Sequence, residues 1–355
     1  LNTFGKKLTL TTFGESHGVA IGGVIDGLPA GMKIDTQFIQ NELDRRRPGQ
    51  SNFTTARDEA DKIEIFSGLF DGISTGAPIG FAIFNNNQKS NDYDNLREIF
   101  RPGHADFTYF KKYGFRDHRG GGRSSARETA IRVAGGAFAQ LLLNEFNIEV
   151  LSGVFSIGKV FSDKVDFNFA KNSQIYALGN EEAMKEAVNK ARNDHDSVGA
   201  VVLSVVKNAP AGLGEPLYDK LDSALAAALM GINGVKAVEI GAGVKASETF
   251  GSVNNDEMDE LGFLSNNAGG ILGGISSGED IVLKSHFKPT PSIFKEQKTL
   301  NLQGKVVDFE LRGRHDPCIG IRGSVVATAM IRLVIADMLL LNATTKLDNL
   351  KKIYS

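Results

Sequence analysis

The sequence predicts a single large domain of the α/β (α+β) class. The chain has 355 residues, enough to bury roughly three quarters of the surface its unfolded state exposes with no disulfide or metal staple. Short β-like runs alternate with segments whose apolar residues recur at helical spacing. No repeat at solenoid spacing and no low-complexity linker divides the chain, and glycine-rich segments occur in both halves. That distribution argues for one composite site within residues 1–345. Residues 346–355 form a lysine-rich tail that is expected to fray.

Leu8–Phe13 reads as a strand, and Gly14-Glu15-Ser16-His17-Gly18 as a tight turn into a second strand, Val19–Asp26. The turn also fits the Gly-x-Ser-x-Gly nucleophile elbow, but that motif needs a helix after the serine and an oxyanion loop from an earlier strand. A β-like run follows instead, so a hydrolase is rejected. Asp35 caps a helix with Phe38, Ile39 and Leu43 on its apolar face, and Pro48-Gly49 ends it. Arg45, Arg46 and Arg47 in the last turn complement the helix dipole, yet three in succession leave at least one to aim at a bound phosphate. Strands are expected at Lys62–Phe66 and Ile79–Phe84. The asparagine-rich Asn85–Asn95 is either a surface excursion or a lid.

Beyond a helix ending near Phe146, Val150–Phe169 is β-like and Asn180–Arg192 an amphipathic, peripheral helix. Val201–Val206 is a strand and Leu217–Met230 an apolar helix stopped by Gly231. Asn233-Gly234 then turns into a strand at Ala237–Ile240. Gly241-Ala242-Gly243 imitates the dinucleotide fingerprint, but no helical apolar period follows, so nucleotide binding of that kind is rejected. Asn267–Gly278 is a glycine-dense loop whose backbone could lie flat against a planar ligand. Asp280–Lys284 and Val306–Leu311 are strands, and Ser324–Leu341 is a long core helix interrupted by Arg332 and Asp337.

Composition narrows the partners. Formal net charge is −2, with 41% hydrophobic and 23% charged residues and 40 glycines. A near-neutral chain has no bulk field for nucleic acid or a membrane surface, so anion binding must come from local focusing. Cys318 is the single cysteine, which leaves no internal disulfide and no cysteine-based zinc site. The strand-like opening and the lone cysteine lead to the expectation of a soluble cytoplasmic protein.

Local focusing is strongest from Arg101 to Arg132, where eight Lys or Arg face three Asp or Glu. Gly120, Gly121 and Gly122 lead through Arg123 and Ser124 to Ser125-Ala126-Arg127-Glu128, the capping-box signature of a helix start. Glycines before a capped helix point amide N–H groups and the positive dipole end at one spot, which suits a phosphate.

Eight stretches, in order along almost the whole chain, resemble the chorismate synthase family. They are Gly14–Gly18, Asp44–Gly49, Arg101–Asp106, Lys112–Asp117, Arg119–Ala130, Gly269–Gly278, Lys288–Ser292 and Gly313–Cys318. The resemblance implies anti-1,4 elimination of phosphate from 5-enolpyruvylshikimate 3-phosphate, requiring reduced FMN without net redox change. It implies a β-α-β sandwich, a helical layer between two antiparallel sheets, and a homotetramer.

Carried over by motif, His17 would protonate or hydrogen-bond the departing phosphate and His104 would act on the reduced flavin. Asp316 would assist proton removal near the flavin, with Ser16 and Ser125 relaying protons. Arg46, Arg101, Arg127 and Arg314 are the implied anion clamps. Arg123, Ser124, Ser125, Asn233, Gly234, Gly273, Lys288, Pro289, Thr290, Pro291, Ser292 and Arg314 are the implied flavin contacts. With no believable hydride-donor site, the reduced FMN is expected from an external flavin reductase. His118 stands where related chains often have tyrosine, and Asn52 where many have arginine, so no NADP contact is carried over to that loop.

Overall fold

The computed structural model describes residues 1–49, 53, 61–85, 96–310 and 316–355. Two five-stranded antiparallel sheets form its frame. The first contains β1 (Thr3–Phe4), β2 (Thr9–Gly14), β3 (Ala20–Asp26), β4 (Ile63–Ile65) and β5 (Ile79–Phe84), in the order β1-β2-β3-β5-β4. The second contains β6 (Glu149–Ile157), β7 (Val160–Phe161), β8 (Ala200–Lys207), β9 (Val235–Ile240) and β10 (Ile281–Phe287), in the order β9-β10-β8-β6-β7. Strand β10 shows why one face turns inward. Ile281, Leu283, Ser285 and Phe287 are buried, while Val282, Lys284 and His286 between them are half-exposed, the period-two pattern of a sheet with one face on a core.

The longer helices include α1 (Thr36–Arg46), α2 (Asp106–Tyr113), α3 (Thr129–Asn144), α4 (Glu181–Asn193), α5 (Leu221–Met230) and α6 (Gly320–Asn342). α3 packs on β2 and β3 and, on its other side, on α6; α6 in turn packs on β6, β8 and β10. At the helix crossing a Cβ on Gly136 would stand 2.5 Å from Ala329 Cα, so the two backbones touch and only glycine fits. Helix α6 is long and apolar enough to cross a membrane by length and composition, but 83% of its apolar window is buried inside the fold. The two charges deepest in its buried middle are both satisfied. Arg332 pairs with Glu42 of α1, and the Asp337 carboxylate accepts the amides of Lys6, Lys7 and Leu8 at 2.9, 2.7 and 2.8 Å. Burial alone would raise the Glu42 carboxyl, yet Arg332 and Arg45 hold it below its ordinary value.

Several sequence expectations need correction. The apolar helix α5 begins at Leu221, because Asp219 takes a left-handed turn (φ 65) just before it. Residues 150–169 are not one β run: Asp166 accepts the Phe169 amide at 2.9 Å and starts a helix at Phe167–Asn172. Within Asn267–Gly278 a small hairpin pairs Ile271–Leu272 with Ile275–Ser276 around Gly273-Gly274. Gln297–Leu300, which has too little apolar alternation to be read from sequence, is a strand and pairs with Val306–Phe309. The tail forms a helix over Leu347–Tyr354 instead of fraying. Leu347, Leu350 and Tyr354 recur on it at helical spacing. After β9 comes a 3₁₀ segment, Gly243–Glu248, with no dinucleotide-type helix.

Candidate active site

The glycine run of residues 120–122 brings two histidines together. Gly120 and Gly121 have φ of 59 and 90, left-handed backbone that L side chains avoid. They are also crowded. A Cβ on Gly120 would stand 2.1 Å from His17 Cε1, and one on Gly121 would stand 3.0 Å from His104 Cε1. His17 comes from the turn between β2 and β3, and His104 from the segment leading into α2. Each ring thus lies against one of two adjacent glycines. Ser16 Oγ is 3.1 Å from His17 Nδ1, with both residues buried.

His104 belongs to a second cluster centred on Asp106, the first residue of α2. Asp106 Oδ2 accepts Arg101 Nε at 2.7 Å and the Arg101 amide at 3.1 Å. Its Oδ1 accepts Arg101 Nη2 at 2.9 Å and lies 3.0 Å from His104 Nδ1 and 3.5 Å from Arg116 Nη1. Burial alone would raise the Asp106 carboxyl; hydrogen bonds from Arg101 and His104 hold it far below the usual carboxylate range. His104 is pulled down first by burial, which disfavours the imidazolium. The Asp106 contact opposes that shift, and the charges of Arg101 and Lys288 add to it.

A third cluster joins α1 to the start of α3. Arg46 and Arg127 each take one oxygen of Asp61, a carboxylate that is 3% exposed. Burial would raise Asp61, and the two guanidiniums keep it ionised and below its ordinary value. Arg46 also donates to Ala126 O at 3.2 Å, and Arg127 Nε to Asn85 Oδ1 at 3.2 Å. Nearby, Asp316 pairs with Arg322 of α6. Arg46, Arg322, Asn233 and Thr129 line one small cavity between α3 and α6. Three guanidiniums against two carboxylates leave these paired groups with net positive charge.

The other sequence-derived positions divide. Arg123 donates to Thr12 Oγ1 at 2.7 Å and Asn2 Oδ1 at 3.1 Å, anchoring the glycine loop to β2. Ser124 Oγ donates to Gly121 O at 2.7 Å, and Asn233 Nδ2 to Ser124 O at 2.9 Å. Gly234 O accepts the Lys288 amide at 2.9 Å, while Lys288 Nζ donates to Gly103 O at 2.6 Å beside His104. Pro291 packs on Gly103, Pro289 lies near Gly199, and Thr290 O accepts Ser197 Oγ at 2.7 Å. Ser292 is half-buried at the end of this turn. Gly273 turns the small hairpin with open space around it. Arg314, Asn52 and all but Asn85 of the Asn85–Asn95 loop lie outside the described residues.

Ser125 departs from the expected capping box. Its Oγ accepts the Arg127 amide at 3.3 Å and caps a 3₁₀ turn, Ala126–Glu128, ahead of α3. Glu128 reaches forward to Arg132, 2.6 Å away at i+4, instead of back to the Ser125 amide. A charged partner one turn on outcompetes a neutral amide.

Comparison with known proteins decides the family. The chorismate synthase family model matches residues 8–340. The chain belongs to the chorismate synthase family. It is 88% identical to the chorismate synthase of Campylobacter concisus (strain 13826) and 75% identical to that of Campylobacter curvus (strain 525.92), each alignment covering 100% of both chains. A crystal structure of chorismate synthase superimposes with a TM-score of 0.76 at 30% identity, covering 99% of this chain and 97% of that one. The chain is therefore an enzyme, a chorismate synthase lyase of the shikimate pathway, with mixed α/β structure and antiparallel sheets in one domain.

The motifs point to the histidines and arginines but not to the carboxylates that hold them. Asp61 carried no signal beyond being one acidic residue before a strand. Asp106 stood inside a quoted motif, and its spacing two residues after His104 was the available clue. The glycines at 120 and 121 suit a phosphate cradle in sequence, and in the structure the side chains pressed against them are those of His17 and His104.

Proposed function

We propose that the enzyme carries out the anti-1,4 elimination of phosphate from 5-enolpyruvylshikimate 3-phosphate to give chorismate, with reduced FMN bound and no net redox change. The observation that carries this reading is the seating of His17 and His104 against adjacent glycines, with Asp106 shared between Arg101 and His104 and with Asn85 tying Arg127 to the turn that holds His17. Substrate and flavin each bring phosphate, and the substrate adds two carboxylates, so residual positive charge is what both need.

The residues fit a flavin phosphate. Thr290 Oγ1 is buried with no hydrogen-bond partner among the described residues, next to a lysine and two prolines that stiffen the turn. In this reading Arg123, Ser124, Ser125, Asn233, Gly234, Gly273 and Lys288–Ser292 hold the flavin, together with Arg314. Reduced FMN supplies electron density that eases loss of phosphate from the substrate. His17 holds a proton at the departing phosphate oxygen, its ring oriented by Ser16 Oγ on Nδ1. His104, kept neutral by burial, exchanges a proton beside the flavin. Asp316 takes up the substrate proton with Ser125 as a relay. Arg46, Arg101, Arg127 and Arg314 bind the anionic groups, with Asp61 holding two of them in place before substrate arrives.

The same reading extends to a β-α-β sandwich that assembles as a cytoplasmic homotetramer, supplied with reduced FMN by a separate flavin reductase. The test is anaerobic turnover with added reduced FMN, read as phosphate release. Release should require both flavin and the phosphorylated substrate. Turnover without flavin, or none with it, would sink the proposal.

A further inference from the structure

We propose that Asp106 is the positioning residue of the site: one carboxylate sets both the tautomer of His104 and the aim of Arg101. It rests on the reading of His104 as a group that acts in the reaction.

Three donors and one ring nitrogen converge on two oxygens. The Arg101 amide and Nε share Oδ2, Arg101 Nη2 donates to Oδ1, and His104 Nδ1 stands 3.0 Å from Oδ1 without a well-aligned hydrogen bond. A carboxylate offers lone pairs and no proton, so a ring nitrogen this close to it avoids repulsion only if His104 carries its proton on Nδ1. That leaves Nε2 with the lone pair, turned away from Asp106. Asp106 is 3% exposed and begins helix α2, where the dipole favours a negative charge. Arg116 Nη1 adds a second cation 3.5 Å away, while its Nη2 donates to Leu96 O at 2.7 Å and Ile99 O at 2.8 Å. These contacts tie the segment before Arg101 to the same carboxylate. The charged groups around the imidazole are thus Asp106, Arg101 and, from the Lys288–Ser292 turn, Lys288. Arg101 is fixed through Nε and Nη2, and Nη1 is the guanidinium nitrogen not committed to Asp106. One acidic residue therefore orients an imidazole and a guanidinium together.

The substitution Asp106→Asn tests this directly. With an amide, one of the two acceptor positions becomes an N–H₂. Arg101 claims the remaining oxygen with two donors, so the amide nitrogen faces His104 Nδ1. The ring must then accept at Nδ1 and carry its proton on Nε2. Nitrogen-15 NMR of the resting enzyme, with His104 assigned from a His104→Gln control, should show an Nδ1–H tautomer in the parent and Nε2–H in Asp106→Asn. Turnover should fall about 10²- to 10⁴-fold, the range for a misplaced acid–base group. In a His104→Ala background the same substitution should lower kcat far less than in the parent and raise KM, through Arg101.

Should Asp106→Asn fold poorly, Asp106→Glu keeps the carboxylate, and there the Nδ1–H tautomer should persist with turnover reduced about tenfold. An unchanged tautomer in folded Asp106→Asn overturns the proposal, whatever the turnover. So does a flipped tautomer with kcat within twofold of the parent. If His104→Ala alone turns over normally, the assignment of His104 fails while the tautomer result still reports on Asp106.

Discussion

His17 and His104 lie against adjacent glycines and are held by opposite means. His17 leans on a neutral hydroxyl, Ser16 Oγ, and on a backbone so close that its glycine admits no side chain. His104 has more room over Gly121 but faces an ionised carboxylate braced by two arginines. Shape places the first ring and charge places the second. A hydroxyl can donate or accept, so Ser16 imposes no one tautomer on His17. Asp106 only accepts, so it commits His104 to one tautomer.

The largest effect should come from breaking the steric half of that contrast. In Gly120→Ala the new methyl would overlap the His17 ring, 2.1 Å away, in a left-handed conformation that alanine resists. Turnover is expected to fall about 10²-fold or more, with FMN affinity much less affected; steady-state kinetics and flavin titration together check it. The matching change Gly121→Ala meets His104 at 3.0 Å, a distance that a small ring shift relieves. We expect about a tenfold loss of turnover and roughly 1–2 kcal/mol of stability, the latter from the left-handed backbone. Equal losses in the two variants would remove the distinction.

The smallest effect sharpens the electrostatic half. His104 has a depressed proton affinity in the fold, caused first by burial. Unfolded chain therefore binds the proton more readily, and native stability falls as pH drops below the ordinary histidine value near 6.5. His104→Gln should reduce the fall in Tm between pH 7.5 and 5.5 by about 2 °C or less. Thermal melts at the two pH values are the measurement, and an unchanged or steeper fall would contradict the depressed affinity.

Much of this frame was legible because it is written locally. The alternation of β10 and the apolar run Ile79–Phe84 name strands without help from the rest of the chain, and Asp35 announces α1 by accepting the Phe38 amide at 2.9 Å. What failed depended on partners far away in sequence. Glu128 chose Arg132 over the Ser125 amide, and Asp61 found its two arginines 15 residues before and 66 residues after it. No spacing rule encodes such a choice. Asp106 lies between these cases. The chain turns back so that the His104 amide meets Arg101 O at 3.2 Å, and that turn is what converts a two-residue spacing into a contact.

The missing side chain at Gly136 has a mechanical reach. It lets α3 and α6 touch at Ala329, and both helices run from that contact to the end that carries the proposed site, where α3 is preceded by Ser125 and Arg127 and α6 by Asp316. At 1.5 Å per residue, the start of α3 lies about 10 Å from the crossing. The crossing acts as the fulcrum of a pair of tongs. A single methyl inserted there would part the helices by about an ångström before ordinary carbon contact is restored, and the tips would carry that displacement to groups whose work depends on hydrogen-bond distances. Selection on catalysis would then bear on a residue that touches neither substrate nor flavin.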